Sequence, residues 1–173
     1  YQIIQMDLEI RRITVETCAI FPAYKRQKSY LLAGIMLDDV SNYAMMYQVQ
    51  AVKKDGNYHK GMAGFLEEQH IVQVPLAVLT EWESLHCPRN EIYIVENPSI
   101  FAMLCGKEEA NQKGKAYMCM NGQPRLAGLM ALALLAKSET RVYYARDLDP
   151  EGVLIAQKLL PYYKGEFYSW PME

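Results

Sequence analysis

Over residues 89–173 a short apolar run is followed by polar residues, a proline and a longer apolar stretch at helical spacing. The unit occurs three times, as "EIYIVENPSIFAMLCG", "KAYMCMNGQPRLAGLMALALLAK" and "RVYYARDLDPEGVLIAQKLL". Each opening run suits a strand buried on both faces. Pro98, Pro124 and Pro150 fall where a first helical residue is expected, since proline's missing N–H costs nothing there. Asn97 and Asp149 precede their prolines and suit helix caps. A last apolar run, "GEFYSW", reads as a fourth strand. Alternating strands and helices predict an α/β domain over 89–173. It has a mainly parallel, four-stranded sheet and helices near 98–105, 124–137 and 150–160. Ligands of such sheets sit beyond the carboxyl ends of the strands. Glu96, Asn121, Gly122, Asp147 and Asp149 are expected to gather there.

Residues 1–88 carry mixed signals. "YQIIQMDLEIRRITVETCAI" alternates weakly and suits strand or helix. In "LLAGIMLDDVSNYAMMYQVQAV", Leu32, Ile35, Met36, Val40, Tyr43, Ala44 and Tyr47 fall at helical spacing. "KKDGNYHKG" reads as a loop, "MAGFLEEQHI" as a short helix, and "VPLAVLTEWESL" as a helix with Pro75 in its first turn. The expectation is a largely helical segment that packs on the α/β domain or links to another. The chain opens on Tyr1 and stops on the aromatic stretch "FYSWPME", so it reads as a piece of a longer protein.

Composition narrows the function classes. An apolar content of 51% over 173 residues supports a sizeable core and argues against disorder. The net charge of −2 gives no bulk signal for nucleic acid, so any basic surface must be local. Cys18, Cys87, Cys105 and Cys119 lack metal-ligand spacing and read as buried free thiols of a reducing cytosol. With no membrane-length apolar run and no signal-peptide pattern, the expected compartment is cytoplasmic, without a membrane partner. His59, His70 and His86 show no ligand spacing and default to surface or loop positions.

The acids at the strand ends are harder to explain as ordinary surface. Asp149 before Pro-Glu is a good N-cap. Asp147 stands two residues earlier, at the end of an apolar strand, where no cap needs it. Glu96 ends "IYIV", where Asn97 is the better cap. Three carboxylates at one sheet edge repel unless a cation lies between them or one holds a proton. Mg²⁺ suits them, as a hard cation held by one or two carboxylates plus substrate phosphate, and Mn²⁺ can replace it.

"IVENP", "MCMNGQP" and "ARDLDPEGVLIA" resemble the three signature blocks of Toprim domains, found in topoisomerases, primases and nucleases. In that family a glutamate follows the first strand, a glycine the second, and Asp-x-Asp the third. "YIVENPSIFAML" through "YARDLDPEGVLIAQKL" is more closely similar to the C-terminal domain of bacterial JetD-related proteins, the nuclease subunits of Wadjet plasmid defence. The topoisomerase VI A subunit is similar too. Its group often has an aromatic residue or His where Glu151 stands, which favours the JetD-like branch. The resemblance covers roughly residues 90–170. It implies a Mg²⁺-dependent nuclease in which Glu96, Asp147 and Asp149 bind metal and carry catalysis, Glu96 as ligand or general acid/base. Gly122 is then the point where backbone passes close to the site. Asn97, Asn121, Arg125 and Arg146 contact DNA or phosphate, beside helix N–H groups near Pro98. For both arginines the plain alternative is solvated surface. The implied partners are DNA and an SMC-type motor complex, with a homodimer among the assemblies allowed. Tyr143 and Tyr144 lie in a predicted strand and read as packing residues, so no tyrosine nucleophile is assigned. Rival readings are a non-catalytic DNA-binding or assembly subunit, a topoisomerase VI A-like strand-cleaving subunit and a haloacid-dehalogenase-type phosphatase. The last places its Asp-x-Asp after the first core strand, whereas here it follows the third.

Overall fold

The structure is a computed structural model that describes residues 29–30, 32–35, 41–111, 114–122, 125–145, 159, 163 and 165–170. The strands are β1 (Tyr43–Tyr47), β2 (Gln50–Lys53), β3 (Val72–Pro75), β4 (Trp82–His86), β5 (Glu91–Val95), β6 (Ala116–Cys119), β7 (Arg141–Tyr144) and β8 (Phe167–Ser169). The helices are α1 (Lys60–Glu67), α2 (Leu76–Leu79), α3 (Pro98–Asn111) and α4 (Leu126–Ala136). The main sheet has the order β3-β1-β6-β5-β7-β8, and β2 pairs with β4 in a second, two-stranded sheet.

The expected parallel block is present. β5 pairs in parallel with β6 and with β7, and β7 with β8. Ile92 faces Val142 and Ile94 faces Tyr144 in the central pair. The sheet is larger than the four strands expected. β1 adds antiparallel to β6, and β3 adds antiparallel to β1, giving six strands.

This extension corrects the helical reading of residues 1–88, whose described part from 41 onward holds four strands and two helices. Residues 43–47 form a strand with four of five positions buried. β1 lies between β3 and β6 and is covered on both faces, so every position carries an apolar residue. Such a run fits any period, helical spacing included. "VPLAVLTEWESL" is a strand, one helical turn and a second strand rather than one helix. Pro75 ends the outermost strand, β3, where its missing N–H is tolerated. In β4 Trp82 and Leu85 are buried while Glu83 and His86 are exposed. The short helix expected in "MAGFLEEQHI" is α1.

The sheet has two covered faces. Ile92, Ile94, Met118, Val142 and Tyr144 belong to the larger core together with Leu129, Leu132 and Leu135 of α4. α4 also packs against β4, β1 and α2, which explains a helix that is apolar on nearly every side. Val95, Tyr117 and Cys119 face the other way, against Phe101 and Cys105 of α3. On that face Tyr47, Tyr117, Tyr93, Tyr143 and Tyr168 stand in one register row across five strands. Neighbouring ring centroids are 6.4, 5.7, 5.0 and 5.4 Å apart, so Tyr143 is a packing residue. Cys105 and Cys119 are buried free thiols as expected. Cys87 is half-buried as a residue, though burial pushes its thiol well above the usual range. Of the expected helix at 150–160 the described part is Leu159, which is helical and buried in the larger core, and Cys18 lies outside the described residues. Among the described residues no helix is long and apolar enough to cross a membrane.

Candidate active site at the carboxyl edge of the sheet

The chain leaves β5 at Glu96 and enters α3 within two residues. Asn97 performs the turn. Its Oδ1 accepts from the Ser99 N–H at 2.8 Å and the Ile100 N–H at 3.4 Å, and its carbonyl accepts from the Phe101 N–H at 3.0 Å. This is the cap read from the sequence, but it corrects a second expectation. Pro98 has no N–H, and those of Ser99, Ile100 and Phe101 are engaged by Asn97, so this helix start does not present free donors to a phosphate. Asn97 itself is exposed and its Oδ1 serves as the cap.

Glu96 is half-buried and held from two sides. Its Oε1 accepts a 2.6 Å hydrogen bond from the Tyr144 hydroxyl at the end of β7. Its backbone carbonyl accepts from the Gly122 N–H at 3.0 Å and from the Cys119 thiol at 3.5 Å, beyond the end of β6. Gly122 has φ +79 and Asn121 has φ 56. Two successive left-handed residues are what Asn-Gly tolerates at little cost, and this turn brings the second block back to the Glu96 backbone. Burial pushes the Cys119 thiol up, with the Asn121 N–H at 3.4 Å acting the other way. It therefore stays protonated and serves as a donor.

Asn121 is half-buried, and its Nδ2 donates to the Tyr43 hydroxyl at 3.5 Å. Arg125 is exposed, stands at the N-cap of α4 and donates from Nη1 to the Ser41 carbonyl at 2.9 Å. α4 begins at Leu126, two residues past Pro124, which lies outside the described residues. The side chain that serves the first turn of α4 is Asn42. It is 4% exposed and accepts at Oδ1 from the Ala127 N–H at 3.0 Å. Its carbonyl also accepts from the Leu76 N–H at 2.8 Å. Nothing local in the sequence announced this contact, which spans 85 positions.

Arg146, Asp147 and Asp149 lie outside the described residues. The pairing that leads to them is described: the Ala145 N–H donates to the Ile94 carbonyl at 2.8 Å, and the Trp170 N–H to the Tyr144 carbonyl at 2.9 Å. The chain thus passes the carboxyl end of β7 beside Glu96, two residues before Asp147. Among the described residues no group of three or more His, Cys, Asp or Glu is placed to hold a metal. Glu96 alone offers one carboxylate of the hard-oxygen type that suits Mg²⁺.

A family model described as "Protein of unknown function C-terminus (DUF2399)" matches residues 72–173, from β3 through β8 and so across all three blocks. No curated protein matches the chain.

Proposed function

The chain belongs to this family, DUF2399, and we propose that its carboxyl-edge site performs Mg²⁺-dependent cleavage of DNA phosphodiester bonds. One observation carries the reading. Glu96 stands at the carboxyl end of the central parallel strand, tied by hydrogen bonds to the segments that follow β6 and end β7. The resemblance of the three blocks to Toprim domains, and to JetD-related nucleases in particular, supplies the reaction class. An acid after the first strand, a glycine turn after the second and Asp-x-Asp after the third are its elements.

Glu96, Asp147 and Asp149 would hold the metal as oxygen ligands. The chemistry a bound Mg²⁺ would supply is polarisation of a scissile phosphate and a lowered pKa for an attacking water. Glu96 supplies one carboxylate whose Oε1 is already positioned, and Gly122 fixes the backbone that carries it. Arg125, which is exposed, and Arg146 are the candidates for DNA phosphates. On the same resemblance an SMC-type motor complex would bring DNA to the site.

The test is cleavage of supercoiled plasmid and of labelled oligonucleotides with and without MgCl₂, using wild type, Glu96→Gln and Asp147→Asn. Cleavage by wild type that needs Mg²⁺ and is lost in both variants supports the proposal. Melting of wild type, Asp147→Asn and Asp149→Ala, each with and without MgCl₂, addresses the metal directly. Equal Mg²⁺ shifts in all three would remove the aspartates from the metal site and leave Asp149 as a cap.

A further inference from the structure

We infer that Tyr144 is the positioning residue of the candidate active site: its buried hydroxyl sets the direction of the Glu96 carboxylate. The inference rests on the proposed function and deepens it, because no motif in the sequence assigns Tyr144 to the site.

Tyr144 pairs with Ile94 across the β5–β7 register. Glu96 is two residues beyond Ile94, just past the end of β5, and continuing the strand's alternation puts it on the face of Ile92 and Ile94, the face Tyr144 also occupies. The phenol therefore spans a diagonal pair, reaching from the core toward the edge of the sheet. It is 1% exposed, and its ring lies 5.7 Å from that of Phe167. A ring packed on all sides has its torsions fixed by its neighbours, so the backbone of β7 determines where the hydroxyl sits. The 2.6 Å distance to Oε1 is that of a short O–H···O hydrogen bond.

Two constraints on Glu96 come from different strands. The turn after β6 holds its backbone through Gly122, and β7 holds its side chain through Tyr144. A glutamate at a sheet edge otherwise samples many rotamers, and ligation must freeze them. Here the core has frozen them before any ligand arrives, which is how supporting hydrogen bonds sharpen metal sites. The donor is a hydroxyl and brings no cation of its own to the carboxylate. Tyr144 lies three residues before Asp147 in the sequence.

A purely structural tyrosine would give a different result in a double-mutant cycle. Mg²⁺ affinity is measured by calorimetry, and Mn²⁺ affinity by electron paramagnetic resonance, for wild type, Tyr144→Phe, Glu96→Gln and the double variant. Circular dichroism of the metal-free proteins confirms folding at the measuring temperature. Tyr144→Phe keeps the ring and removes one oxygen. The expected result is a roughly 10–100-fold loss of metal affinity, with no further loss when the same change is made in the Glu96→Gln background. Unchanged affinity in Tyr144→Phe, or an equal loss in both backgrounds, overturns the inference while the proposed function stands. A wild-type protein that binds neither ion overturns both.

Discussion

β5 opens on one glutamate and is followed by another, and beside β7 the two are treated differently. At the amino end Glu91 faces Arg141 directly, and the carboxylate meets the guanidinium at 2.7 Å. Around it Thr140, fully buried, donates to Asn90 Oδ1 at 3.2 Å, and Asn90 Nδ2 donates to the Glu139 carbonyl at 3.0 Å. Arg89, Asn90 and Glu139 all have positive φ, so the turns at this end are tight and internally tied. A pocket of about 560 Å³ opens there, lined by Asn90, Glu139, Arg141, Gly165 and Glu166. At the carboxyl end the partner that β7 gives Glu96 is a neutral hydroxyl. An acid answered by a cation from the same strand pair closes a structural contact. An acid oriented by a phenol is held by a group that brings no cation of its own. This pocket lies at the end where the acid is answered by a cation, and the candidate site is at the other.

The sharpest break in this comparison is kinetic. Glu96→Gln is expected to lower Mg²⁺-dependent DNA cleavage by roughly 10²–10⁴-fold, the range for loss of a group acting on the reacting centre. Glu91→Gln should leave the rate at the wild-type level, and equal losses in the two variants would erase the distinction.

The next effect is on stability. Among the described residues nothing hydrogen-bonds the buried Tyr163 hydroxyl, so Tyr163→Phe should raise stability by roughly 1–3 kcal/mol in urea melts. The same phenol is pushed from 10.0 up to about 12, by burial first and then by Cys87 and Glu166. A folded state that keeps a proton the unfolded chain has lost becomes less stable as pH rises. Wild type should therefore lose stability between pH 10 and about 12, and the slope should be shallower in Tyr163→Phe. Identical alkaline slopes would show that Tyr163 does not titrate in that window.

Asn97→Ala removes the cap beside Glu96 and should cost about 1 kcal/mol, with or without Mg²⁺. A loss that appears only with Mg²⁺ would instead place Asn97 in the metal or phosphate site. The smallest effect belongs to the amino-end ion pair. Arg141 and Glu91 are partly exposed, so breaking the pair by Arg141→Met should cost under about 1 kcal/mol, and less at high salt.

The parallel units were legible because their signals are local. "EIYIV", "AYMC" and "RVYY" are short apolar runs, and Asn97 and Pro98 punctuate the first helix within a few residues of the strand it follows. A cap reaches two or three residues, and the chain needs nothing distant to make it. The candidate acids were legible for the same reason: Glu96 ends an apolar run and no local role explains it. The row of five tyrosines is present in the sequence as separate residues but becomes a row only when strand order and register are fixed.

Strand order was decided elsewhere. β1 resembled a helix because a strand covered on both faces has no alternation to display, and only its place between β3 and β6 supplies the second face. Asn42 caps a helix 85 positions away, and Tyr144 meets Glu96 across 48. Neither pair has a spacing that periodicity or capping rules could detect. Such contacts exist because the core must bury both faces of one sheet, and the register that does so sets which polar atoms meet at its edge. The sequence determined that an acid stands at the end of β5; the packing of β7 against it determined where that acid points.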